Sequence, residues 1–136
     1  MTMREYALER AALLLRRFAF QMHRAARMRD PESIHDLRVS IRRLQQCLAV
    51  FAQFFPQGQA KKIRKRLHQI MQVAGAIRNR DIALELFEKS GLPLNIPLQN
   101  KWRDEARELH AELTRLLARW GRRDLSRRWG ARLGLM

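Results

Sequence analysis

From Ile34 to Phe55 an apolar side chain recurs at every third or fourth position, through Leu37, Ile41, Leu44, Leu48 and Phe51. That spacing returns each residue to one stripe of a helix with about 3.6 residues per turn, and it gives a strand no consistent face. The same rhythm runs through Leu8, Ala11, Leu15, Phe18, Met22 and Ala25, and again through Ala60, Ile63, Leu67, Ile70 and Ala74. Trp102, Ala106, Leu109, Leu113, Leu116 and Trp120 repeat it a fourth time. No useful length alternates with period two, so strands are not expected. Helical stripes can be buried only against one another. The expected fold is therefore all-α, an antiparallel helical bundle of long helices.

Proline, glycine and capping residues set the expected boundaries. A long helix is expected over 3–28. Asp30-Pro31-Glu32 supplies an N-cap, a proline in the first helical turn and an acid near the positive helix end, so a second helix should run over 31–55 and stop at Pro56. A third is expected over 59–74, ending at Gly75, and a short fourth over 79–89, capped by Asn79. Ser90 to Pro97, with one glycine and two prolines, reads as the one linker. It separates a motif-bearing part, 5–90, from a C-terminal helical part, 98–132, within a single domain of 1–136. The tail from Arg122 to Met136 should add one helical turn or two.

Charge narrows the partner. Lys and Arg number 28 against 13 acids, a net charge of +15. Self-repulsion of that size destabilises a compact state and normally reports an anionic partner. The excess is uneven, since residues 1–80 hold 17 bases and 5 acids, and His35 to Arg80 hold ten bases beside the single acid Asp36. Cys47 stands alone, which excludes an intrachain disulfide. No apolar run approaches the roughly 20 residues of a membrane span. Glu5 and Glu9 argue against a transit peptide at the Arg-rich start. The cytoplasm is the plain expectation.

Within the second helix, His35, Arg38 and Arg42 share a face at i, i+3 and i+7, beside the apolar stripe, and Arg43 lies next to them. Charge is costly where water is partly excluded, and no neighbouring acid neutralises this group. Arginine suits phosphate because its planar fork donates two parallel hydrogen bonds. His35 either packs on the helix surface or donates to a phosphate. Asp36 either orients a basic side chain or favours the helix N-terminus. On the third helix Lys61, Lys65, His68 and Gln72 form a ridge with Arg64 alongside, which a solvated surface explains equally well. Arg78 and Arg80 follow the expected break at Gly75, in a loop, where Asp81 caps the next helix or holds one of them. Arg17, Arg24 and Arg27 share a face of the first helix.

The run His35-Asp36-Leu37-Arg38-Val39-Ser40-Ile41-Arg42-Arg43-Leu44 resembles the signature of the CHAD domain, the conserved histidine α-helical domain, close to H-D-x-R-V-x-x-R-R-L. A second hallmark, close to L-G-x-x-R-D-x-D, is matched by Ala74-Gly75-Ala76-Ile77-Arg78-Asn79-Arg80-Asp81, with Ala74 for the usual leucine and Asn79 for the first aspartate. The resemblance covers about 5–90. It implies an all-helical protein that binds inorganic polyphosphate in a basic pore or groove, often at polyphosphate granules, with His35, Arg38, Arg42 and Arg78 as the matched motif residues. Family members are usually about twice this length, with two similar halves. This chain carries one motif pair, the equivalent of one half, so a homodimer is expected to supply the second basic wall. The a/d face of the last long helix and Trp129 are the candidate interface elements.

Catalysis finds little support, and no cofactor is expected. Relatives are found joined to a triphosphate-processing domain whose E-x-E-x-K motif does not occur here. Glu32 to His35 is a lone E-x-x-H, there is no phosphate-cradling G-x-x-x-x-G-K-[ST] loop, and one cysteine makes no zinc cluster. Nucleic acid is the alternative partner, since any protein of this charge binds it at low salt through counterion release. Single-strand binding needs exposed aromatics. Phe18, Phe51 and Phe55 fall on core phases, whereas Trp120 and Trp129 stand beside Arg122, Arg123, Arg127 and Arg128. The expected function is non-catalytic polyphosphate binding in a groove lined by the first three helices and the Arg78 loop. His35, Arg38, Arg42, Arg43, Lys61, Arg64, Lys65, His68, Arg78, Arg80, Arg17 and Arg24 are its candidates.

Overall fold

A computed structural model describes every residue except 29, 92, 94, 95, 123 and 136, and the side chain of Arg122. Its helices are α1 (Met3–Met28), α2 (Pro31–Val50), α3 (Gln59–Lys89), α4 (Ile96–Arg122) and α5 (Leu125–Arg132), with a single 3-10 turn at Ala52–Phe54. There is no strand among the described residues. The protein is all-α, as its stripes demand.

Local chemistry starts the first two helices. At α1 the Thr2 N–H donates to Glu5 Oε2 (3.2 Å) and the Glu5 N–H to Thr2 Oγ1 (3.1 Å), a reciprocal capping box. At α2 the Ser33 N–H donates to Asp30 Oδ1 (2.8 Å), with Pro31 in the first turn as expected. The end of α2 differs from the expected 55. The chain leaves the α-helix after Val50 and tightens into the 3-10 turn, which ends at the extended Phe55 (φ −104°, ψ 157°), the conformation that Pro56 imposes on the residue before it.

The larger correction concerns Gly75. No helix ends there. Instead α3 runs unbroken through 74–79, so Asn79 caps nothing and Arg78 and Arg80 sit on helix rather than loop. A glycine costs a helix interior only about 1 kcal/mol. Ala74 and Ile77, both fully buried, keep the apolar stripe in phase across it. Past the connection, Leu92, Leu94 and Asn95 of the expected linker lie outside the described residues, and α4 begins at Ile96, with Pro97 in its first turn.

Successive helices pack along their lengths and are joined by short connections, so they run antiparallel, and α1 also meets α4 to close the bundle. One buried cluster joins Phe18 and Met22 of α1, Leu37, Ile41 and Leu44 of α2, Ile63, Leu67 and Ile70 of α3, and Leu113, Leu117 and Trp120 of α4. In α4 it is Leu117, rather than the expected Leu116, that enters the core. The tail forms α5, which folds back onto α1 and α4. Trp129 is fully buried there, stacked on Phe18 (5.8 Å, 8°) and edge-on to Trp120 (5.4 Å, 67°). Trp129 is thus not exposed to a second copy, and neither tryptophan offers a base a stacking face, because α5 folds back over them. On the expected face of α4, Leu113 and Trp120 are buried while Trp102, Ala106, Leu109 and Leu116 stay half-buried. No described helix is long and apolar enough to cross a membrane.

Candidate anion-binding faces

Helix geometry and the neighbours of α2 decide where its cations go. With about 100° between successive residues, Asp36, Ser40 and Arg43 fall on one flank of α2, and Arg38 with Ile34 and Gln45 falls on the other. The first flank faces α1: Asp36, Val39, Ser40 and Arg43 line one groove with Leu14, Arg16, Arg17, Phe20 and Gln21. The second faces α3, since α2 packs between α1 and α3. His35 and Arg42 stand just outside Arg38, exposed.

The same construction divides α3. Arg80 pairs with Glu105 of α4 (Nε to Oε2, 2.7 Å), and Lys62, Lys65, Arg66 and Gln69 line a groove with α4 and α5. The opposite flank, toward α2, carries Arg64, His68, Met71, Gly75 and Arg78. Helical phase turns Arg38, and further outward Arg42 and His35, toward the α3 side of α2, and Arg64, His68 and Arg78 toward the α2 side of α3, with Lys61 further out.

Asp36 explains why Arg38 lacks a counter-charge. Of its two roles left open by the sequence, the structure shows the first: its carboxylate accepts from Arg24 Nη1 of α1, and Glu32 approaches the same guanidinium at 3.9 Å. Arg24 is raised further above its ordinary pKa, chiefly by the hydrogen bond to Asp36. It is occupied within the protein. Arg38 is not. Its Nε is buried with no hydrogen-bond partner, and among the described residues no carboxylate pairs with Arg38, Arg42, Arg64 or Arg78. An unpartnered buried donor costs about 1–3 kcal/mol, so the fold holds this guanidinium without an internal bond that rewards it.

The twelve candidates therefore separate. Seven fall by helical phase on the facing or outer sides of α2 and α3: His35, Arg38, Arg42, Lys61, Arg64, His68 and Arg78. Arg17 and Arg43 lie in the α1–α2 groove, Lys65 on the α4 side of α3, and Arg24 and Arg80 are ion-paired. A single groove lined by three helices is not what forms, because α1 and α3 flank α2 on opposite sides. Asp81 is half-buried, its carboxyl pushed above the ordinary range by burial while His110 and Arg78 draw it back. Burial likewise raises the Cys47 thiol, which leaves it unreactive. No three His, Cys, Asp or Glu side chains among the described residues come together to hold a metal.

Sequence reasoning passed over Lys62, Arg66, Arg119 and Arg132, which converge on the groove between α3, α4 and α5. The run Lys61-Lys62-Ile63-Arg64-Lys65-Arg66-Leu67-His68 announces cations on every exposed side of α3. Only the position of α5 shows which of them meet others. Of the basic residues read beside the tryptophans, Arg123 and the side chain of Arg122 lie outside the described residues.

Against this geometry, the family model of the CHAD domain matches residues 11–135. That range extends through α4 and α5, well beyond the motif-bearing part. No curated protein and no solved structure matches the chain significantly.

Proposed function

The chain belongs to the CHAD domain family, and from that premise we propose that it binds inorganic polyphosphate without transforming it, along the α2–α3 seam. One observation supports this reading: Arg38, on the α3 side of α2 by helical phase, has a buried, unpartnered Nε, while Asp36 on the other flank is occupied by Arg24. Arg38, Arg42, Arg64 and Arg78 supply forked donors, and His35 and His68 add ring donors. Polyphosphate is the polyanion that asks for nothing else. It has phosphoryl oxygens and charge, and no base edge or base face to be read.

The burial of Trp120 (4% exposed) and Trp129 (0%) removes both tryptophans as stacking platforms for single strands. Association with polyphosphate granules belongs to the same reading. So does a homodimer that brings a second basic wall, its contacts drawn from the exposed Tyr6 and Phe20 of α1 and the half-buried face of α4 rather than from the buried Trp129. Sedimentation that shows a monomer with and without polyphosphate removes the dimer.

The decisive experiment is a competition titration at near-physiological salt, with labelled long-chain polyphosphate displaced by unlabelled polyphosphate, duplex DNA or single-stranded RNA. Polyphosphate should win by at least about tenfold per phosphate, roughly 1.4 kcal/mol. Arg38→Ala and Arg42→Ala should each weaken binding far more than Arg103→Ala, an exposed cation of α4. Equal losses from all three mean diffuse charge, and equal competition by DNA or RNA means a nucleic-acid-binding bundle.

A further inference from the structure

The groove between α3, α4 and α5 gathers Lys62, Lys65 and Arg66 from α3, Arg119 from α4 and Arg132 from α5. Among the described residues no carboxylate lines it, and none of the five cations has an ion-pair partner. Its volume is about 480 Å³, and Leu116 and the buried Trp120 give it an apolar floor.

Structural needs account for only part of this arrangement. Arg119 and Arg132 lie near the C-terminal ends of their helices, where the negative end of the helix dipole favours cations. Lys62, Lys65 and Arg66 lie in the opposite situation. They crowd the first turns of α3, which has no acid in its first turn and a left-handed Gly58 with no side-chain cap. There the helix dipole and the cations repel. Placing five like charges around one concave wall adds repulsion, which water screens in part because Lys62, Lys65, Arg66 and Arg119 are exposed. Acids were at hand on α4, but Asp104, Glu105, Glu108 and Glu112 all lie in its first two thirds. The segment that lines the groove has none.

A ligand carrying several closely spaced negative charges turns that repulsion into attraction. Ammonium and guanidinium groups dominate the wall, so the ligand must present acceptors. With Trp120 only 4% exposed, there is no ring face for a base to stack on. We propose that this groove is a second phosphate-chain site, across α3 from the seam, that takes a short run of linked phosphoryl groups. The proposal borrows its ligand class from the function above and shares none of the seam's residues.

Tripolyphosphate is the probe, titrated calorimetrically at near-physiological salt into wild type, Arg66→Gln/Arg119→Gln, Arg38→Gln/Arg42→Gln, and the charge-matched control Arg4→Gln/Arg103→Gln. Wild type should bind at two sites. The Arg66/Arg119 variant should lose one of them, weakened at least about tenfold, and keep the other at its original affinity. Titration like wild type, or a loss no greater than in the control, overturns the groove. The Arg38/Arg42 variant should keep the groove's share, and if it binds as wild type does, the seam fails while the groove stands. ATP should bind the groove no tighter than tripolyphosphate, and a tenfold preference for ATP overturns the assignment in favour of a nucleotide site. Should the double variant not fold by circular dichroism, Lys62→Gln/Arg132→Gln makes the same comparison.

Discussion

Gly75 is where a single residue separates what the backbone requires from what the surface requires. Its φ is helical, and a Cβ built on it meets nothing within 4 Å. The position therefore needs glycine neither for a turn nor for close helix packing. Replacing it by alanine removes backbone freedom from the unfolded chain and should stabilise the protein by about 0.5–1 kcal/mol. Thermal unfolding of Gly75→Ala should show a melting temperature higher by a few degrees. A lower one would mean that α3 breaks at Gly75 after all. If the glycine is there to leave the seam open beside Arg78, the same variant should lose affinity for polyphosphate while it gains stability. Arg38 shows the complementary case. Its i−3 and i+4 companions His35 and Arg42 were visible from spacing alone, but nothing in the sequence says that its Nε would be buried without a partner.

At the scale of elements, the stripes were legible and the interruptions were not. Apolar phase located α1, α2 and most of α3 because 3.6-residue periodicity and burial follow from the same geometry. Glycine carries no such determinism. Gly75 reads as a stop, but two fully buried neighbours override it, whereas Pro56 does stop helical backbone, through the extended Phe55 that ends the 3-10 turn after α2. The cap at Asp30 was legible and has a measurable consequence. Its hydrogen bonding with Ser33, hydroxyl first and backbone N–H second, holds the Asp30 carboxyl below its ordinary value of 3.8. A carboxyl whose pKa is lower in the folded than in the unfolded state stabilises the fold fully above that unfolded value. The contribution fades as pH falls through the lowered folded pKa. Asp30→Asn should therefore flatten the loss of α2 stability below about pH 3.8, with little change near neutrality because asparagine also caps. Melting curves of the two proteins from pH 2 to 7 read this directly, and parallel curves would mean that the cap does not titrate with folding.

For the molecule as a whole, the charge of +15 was plain from composition, whereas its distribution over faces was not. Sequence reading pooled the cations of the first three helices into one groove. Three-dimensional order splits them, because α2 separates α1 from α3 and α3 separates the seam from the groove built with α5. Two acid-poor faces across a single helix imply that the free protein carries repulsion that a bound polyanion relieves. Simple salt relieves it too, by screening over about 8–10 Å, so a rise of melting temperature with sodium chloride is expected and proves little. Specific binding adds a further increment set by saturation. At a polyphosphate concentration about 100 times the dissociation constant, the fold gains about 2.7 kcal/mol, and in a chain of this length the melting temperature should rise by about 10 °C. The comparison to make is polyphosphate against sodium chloride at equal ionic strength. An excess in the polyphosphate arm that shrinks steeply as salt is added is the behaviour of several phosphates neutralised together. If the two arms coincide, the charge is screened rather than bound, and the seam and the groove are surfaces without a ligand.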